Sequence, residues 1–176
     1  MHVFPLGYRV AQAIGLTGAA WLSGNIAALS MNAAPALLRA HNEDHLPAMN
    51  VVKLWRNLYE SGKSQNPPIA VVTASAFFYL AWSTRSSSPL FGQVARNTTT
   101  LYGAAAILTL SIMPYTIAVM SSTNNALLAE SKSISEPTSL GGTEIEQLVS
   151  KWISLNGFRS LLPLAGCLLG AFATLA

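Results

Sequence analysis

The chain has 176 residues, of which 51% are apolar and only 10% charged, with a mean hydropathy of +0.40. Soluble domains carry about 25% charged residues, so this composition excludes an ordinary water-soluble globule and predicts one integral membrane domain over 1–176. The ten Lys and Arg are scattered, the net charge is only +3, and there is one cysteine, Cys167; no nucleic-acid footprint, internal disulfide or thiolate metal cage fits that inventory.

Four segments approach the roughly 20 residues that a bilayer crossing demands. The first covers about 10–38 and holds Asn25, Asn32 and Pro35. Its apolar run outlasts the h-region of about 7–15 residues in a secretory signal, so a retained span is expected. The second covers 67–84, where Pro67 and Pro68 suit the first turn of a helix. The third, 100–120, carries Pro114, which removes a backbone donor and predicts a kink. The fourth, 158–176, continues an amphipathic helix that begins near Ile145. No stretch alternates as a strand does, and helices satisfy every backbone group in lipid. The expected fold is all-α: a four-transmembrane-helix bundle with both termini on one side. Small residues recur along it, at Ala11, Gly15 and Ala19, from Gly103 to Ala106, and at Gly166 and Gly170. Such spacing lets helices approach closely, within one bundle or across the seam of a homo-oligomer.

The connections differ in kind. Within 39–66, Val51, Trp55, Leu58 and Tyr59 share one face and predict an amphipathic helix over Pro47 to Ser61, lying at the lipid interface and covering the mouth of the bundle. The connection 85–97 is short and basic, and 121–143 reads as an ordered start followed by a loose loop. Lys and Arg flank the spans on both sides, which leaves the orientation open.

Several polar side chains fall where a membrane helix rarely places them. At helical spacing Ile145, Leu148 or Val149, Trp152, Asn156 and Arg159 share one face. A guanidinium there either snorkels to headgroups or faces a partner inside the protein. Asn25 and Asn32, seven apart, are expected on one inward face of the first span, either as structural glue or as ligand contacts. Pro114-Tyr115-Thr116 and the run from Met120 to Leu127, with Asn124 and Asn125, form a polar shelf at one end of the third span. By parity of the spans this shelf shares a side with Trp55, Tyr59, Trp152, Asn156 and Arg159. His41 and His45 have i, i+4 spacing, but two ligands without a third are a weak metal signal. No phosphate loop, nucleotide fingerprint or nucleophile elbow occurs.

The order of these motifs is similar to a known family. A small-residue first span ends in Ala34-Pro35-Ala-Leu-Leu, with Trp55-Arg-x-x-Tyr59-x-x-Gly62 and Pro67 after it. Next come Tyr102 with an alanine run, Pro114-Tyr115-Thr116-x-x-x-Met120-x-x-Thr123-Asn124-Asn125, and finally Trp152-x-x-Leu155-Asn156-x-x-Arg159-x-x-x-Pro163. The chain resembles, over nearly its whole length, the fungal anthrone oxygenases, small four-helix membrane proteins. The resemblance implies an oxygenase of aromatic polyketide biosynthesis that uses dioxygen as co-substrate; no cofactor is well established for the family and none is expected here, with a metal-dependent variant on His41 and His45 as a further alternative. It also implies a lipophilic aromatic substrate and an endomembrane location such as the endoplasmic reticulum. The alternative is a non-catalytic membrane protein that binds a lipophilic small molecule or scaffolds pathway enzymes.

That chemistry gives the polar residues expected roles. An anthrone's central CH2 is acidic because its anion is an aromatic phenolate; a site needs a base for the proton and hydrogen bonds or positive charge for the oxyanion. Arg159 is expected to hold the anion, and Asn156 and Asn125 to donate to substrate oxygens. Trp55, Tyr59 and Trp152 offer flat walls, with Tyr115, Asn25 and Asn32 completing the binding set. His45 is the first candidate base, with His41 and Tyr59 behind it, since histidine titrates near neutrality.

Overall fold

A computed structural model describes residues 4–132 and 141–175. Among these residues the chain is helical, without strands. Helix α1 spans Leu6–Ala28 and passes through a π-helical turn, Leu29–Ala33, into α2, Ala34–Glu43. Helix α3 spans Ala48–Ser83, and a short 3-10 turn at Phe91–Gln93 lies before α4, Thr98–Leu110. After α5, Ile112–Tyr115, a second π-helical turn, Thr116–Met120, leads into α6, Ser121–Glu130, and α7 runs over Gly142–Leu175. Residues 133–140 of the expected loose loop lie outside the described residues.

Among the described residues, three helical runs are long and apolar enough to cross a membrane: Leu6–Glu43, Thr98–Glu130 and Gly142–Leu175. Helix α3 is not among them. The expected second span, 67–84, lies inside it but is diluted by Pro67, Pro68, Thr73, Ser75 and Ser83. The expected break at Pro67 is absent as well, and the interfacial piece over Pro47 to Ser61 is the first part of the same helix. One buried face, Val51, Val52, Trp55, Gly62, Asn66, Ala70, Ala74, Phe77 and Leu80, repeats at helical spacing straight across the prolines. Each proline removes one backbone donor, which the continued packing of that face outweighs. The final amphipathic segment does run on into the apolar tail, as one helix.

The chain divides into two compact units, Met1–Gly24 with Asn66–Met113 and Ser160–Ala176, and Asn25–Gln65 with Pro114–Arg159. The first is built on close approach at small residues. A Cβ placed on Gly15 would come within 2.7 Å of the Phe77 ring, and one on Gly170 within 2.6 Å of it. Both glycines therefore make room for this buried ring. Gly166 meets the carbonyl of Ala105 in the same way, at 2.9 Å, so the Gly166/Gly170 seam is filled within one chain. Replacing Gly170 by Val is expected to cost about 1–3 kcal/mol through overpacking. Thermal melting in detergent checks this, and adding Phe77→Leu should restore much of the loss. The polar groups of this unit include a paired chain: Gln12 Nε2 donates to the Tyr102 hydroxyl at 3.0 Å, which shares a second bond of 3.0 Å with Thr174 Oγ1.

The second unit has its own core of Ala34, Val51, Val52, Trp55, Met120, Leu127, Ile145, Val149 and Trp152. The converging polar side chains of the middle of α7 belong to this unit.

Candidate functional site

The site is built on the middle of α7. Ile145, Val149, Trp152 and Asn156 succeed one another by three or four residues, and all four are buried, with Asn156 at 0% exposure. The apolar members pack with residues of α3 and α6 in one core, which holds the polar ones inside. Trp152 meets Trp55 edge to face, with centroids 5.8 Å apart, and Trp55 is stacked on Tyr59 at 5.3 Å. The aromatic wall is thus a packed trio in which Tyr59 keeps partial exposure.

Asn156 Nδ2 donates to the Ile26 carbonyl at 2.9 Å and to Ser30 Oγ at 2.8 Å. Arg159 lies one turn on and points into the protein: its Nη1 donates to Thr116 Oγ1 at 2.9 Å. Among the described residues no carboxylate pairs with its charge. The Tyr115 hydroxyl donates to the Leu155 carbonyl at 3.3 Å, tying the leading edge of the second π-helical turn to α7.

Both hydroxyl partners of these α7 side chains come from π-helical turns, while the Ile26 carbonyl belongs to α1. Ser30 sits in Leu29–Ala33, just before Pro35, and Thr116 in Thr116–Met120, just after Pro114. A π turn spaces its hydrogen bonds one residue wider and rotates the next stretch of helix by about 100°. Proline, lacking a backbone donor, favours such a defect in the ladder. Two regular helical turns are thereby given up to aim hydroxyls at Asn156 and Arg159.

Among the described residues, the buried polar atoms of this unit without a hydrogen-bond partner include the Nε1 donors of Trp55 and Trp152, Nε of Arg159, and the Oδ1 acceptors of Asn124 and Asn156. Native proteins leave few buried polar groups unsatisfied, because each costs about 1–3 kcal/mol. Three donors and two acceptors of one compact unit are thus left with hydrogen-bonding capacity.

The other expected residues fall outside this set. Asn32 is exposed, as are Trp21 and Ala28, and Asn25 is only half-buried. The inward face of the first span is instead Leu22, Ser23, Ile26 and Ser30. The face that holds Trp21, Asn25 and Ala28 is already turned outward before the π turn, and Asn32 follows it. Asn125 is exposed while its neighbour Asn124 is 3% exposed. Met120 and Leu127, seven apart and both buried, fix the phase of α6 and turn Asn124 inward. His45 is exposed and adopts a left-handed backbone at φ 56°. His41 bonds through Nδ1 to the Leu46 carbonyl and sits 3.6 Å from Glu146. Among the described residues no three His, Cys, Asp or Glu side chains converge as metal ligands would. Ser30 leaves no mark in the sequence beyond a nearby proline; Thr116 and Asn124 fall on the expected polar shelf but carry no expected site role, and the buried Met120/Leu127 pair is the signal that singles out Asn124.

Comparison with known proteins adds a separate line. The family model described as anthrone oxygenase matches residues 55–169, which includes Trp55, Asn124, Trp152, Asn156 and Arg159. The chain is 39% identical to the anthrone oxygenase encC of Aspergillus fumigatus, over 92% of this chain and 91% of that one. It is 31% identical to the anthrone oxygenase AgnL2 of Paecilomyces divaricatus, over 92% and 93%. It is 32% identical to the noranthrone monooxygenase of Aspergillus flavus, over 88% of this chain and 68% of that one. No solved structure matches the chain.

Proposed function

Since the chain belongs to the anthrone oxygenase family, we propose that it oxidises an anthrone-like aromatic polyketide to the quinone with dioxygen, using its own side chains and no organic cofactor or metal. The observation that carries this reading is the inward guanidinium of Arg159, held by Thr116, with Nε still unpartnered. We read α3 as a fourth crossing beside the three apolar runs, and the endoplasmic reticulum or a related endomembrane as its location. A greasy, planar substrate would concentrate in the same bilayer.

The reaction converts a ring CH2 and dioxygen into a ring C=O and water. Removal of one CH2 proton gives an aromatic phenolate, whose oxygen carries the negative charge. Arg159 meets that oxyanion through Nε, an arrangement whose strength in a water-poor interior is the usual large term in such catalysis. The indole N–H groups of Trp55 and Trp152 reinforce it. Electrons pass from the carbanion carbon to dioxygen, a C–O bond forms, and the carbon-bound peroxide collects a proton. Loss of the remaining C–H proton and of hydroxide from the O–O bond leaves the carbonyl and water. We take Tyr59, half-buried and stacked on Trp55, as the group that accepts and returns protons. An exposed His45 and a His41 engaged with Leu46 and Glu146 are not offered that position.

Purified protein in detergent should consume dioxygen with emodin anthrone well above a no-protein control, with the rate unchanged after dialysis against a chelator. Loss of activity on chelation, restored by a divalent metal, would remove the cofactor-free part of the reading; uptake equal to the control would remove the whole.

A further inference from the structure

We propose that Asn156 is a specificity-determining acceptor, held by Ile26 and Ser30 so that its Oδ1 receives a hydrogen bond from a substrate hydroxyl. The two ends of a side-chain amide are told apart here by chemistry. A carbonyl oxygen can only accept, so the group facing the Ile26 carbonyl at 2.9 Å has to be the NH2. The same nitrogen reaches Ser30 Oγ at 2.8 Å. Both amide hydrogens are used, and Asn156 has none left to donate to a bound oxygen. What remains is Oδ1, on a side chain at 0% exposure and with no partner. Its neighbours one turn away on the same face, Trp152 and Arg159, keep their own N–H donors unpartnered, so they do not satisfy it. An acceptor that no donor among the described residues reaches is complementary to a donor brought by the ligand. Asn124, 3% exposed and with its own Oδ1 unpartnered, supplies a second such acceptor in the same unit.

The inference rests on the oxygenase reading for the ligand's class but not for its test. A ligand suited to this set carries a carbonyl or phenolate oxygen for the N–H donors together with free O–H groups for the two amides. Masking those hydroxyls as methyl ethers removes the donor, leaves a buried acceptor unsatisfied and adds bulk, a change worth about 10–100-fold in affinity.

The probes are emodin, a hydroxylated anthraquinone that does not turn over, and its fully O-methylated ether, with binding tracked by quenching of tryptophan fluorescence in detergent. Wild-type protein should bind emodin about 10–100-fold more tightly than the ether. In Asn156→Ala that preference should shrink to a few-fold or less, mainly through weaker emodin binding. Should Asn156→Ala fail to fold, Asn124→Ala serves in its place, with a partial loss of the preference expected. Equal binding of both probes by the wild type, binding of neither, or an undiminished preference in the folded variants would overturn the proposal. Because quinone binding needs no turnover, selective binding without any oxygen uptake would leave this inference standing and remove the oxygenase reading alone.

Discussion

Replacing Arg159 by Met is expected to lower kcat/KM for emodin anthrone by about 10²–10³-fold, the range found when one preorganised oxyanion partner is lost. The fall should appear mostly in kcat, because the charge on the substrate oxygen develops only as the proton leaves. The melting temperature in detergent should hold or rise. Arg159 has no carboxylate partner among the described residues and a buried unpartnered Nε, and an unpaired charge exchanged for an apolar chain of similar length usually costs no stability. Arg159→Lys separates charge from geometry: it keeps the charge but loses the planar fork that reaches Thr116 and the substrate at once. It should recover only a small part of the activity. Steady-state oxygen uptake alongside melting curves checks all three proteins, and an Arg159→Met enzyme with undiminished kcat would contradict the role.

Trp55→Ala should be the most destabilising single change in this unit, at about 3–5 kcal/mol. The indole is wholly buried, stacked on Tyr59 and edge-on to Trp152. Truncation opens a cavity whose lining atoms lose dispersion contacts whether the surroundings are water or lipid. Trp55→Phe keeps a ring in place and should cost far less, while removing the unpartnered Nε1 donor. Melting with and without a bound quinone distinguishes the two effects: Trp55→Ala should lower both curves, and Trp55→Phe should lower chiefly the ligand-bound one.

How much of the molecule is legible in its residues depends on where the chain keeps to the ordinary helical period. The inward face of α7 comes directly from helical spacing, because Ile145, Val149, Trp152 and Asn156 lie on an unbroken helix. Composition alone supplies the apolar, all-helical character, and the ordered motifs supply the family. The departures come where packing overrides local signals. Spacing puts Asn25 and Asn32 on one face, but the inward face of the helix is taken by Leu22, Ser23, Ile26 and Ser30. Pro67 and Pro68 signal a helix start by local preference, yet the face that begins at Val51 carries α3 through them. The same long-range packing chooses Asn124 over Asn125, a choice that neither residue's own chemistry can express. Ser30 and Thr116 matter only because a tertiary partner sits opposite each, and such pairings over 126 and 43 positions leave no local mark.

The central question is whether an oxygen atom from dioxygen enters the anthrone at this protein's hands. Isotopically heavy dioxygen, supplied to the purified protein with emodin anthrone, traces that atom by mass spectrometry of the quinone. The prediction is one heavy oxygen per quinone, one dioxygen consumed per anthrone, and a rate far above the no-protein control that collapses in Arg159→Met. Quinone formed no faster than in that control, or carrying its new oxygen from water, would contradict it.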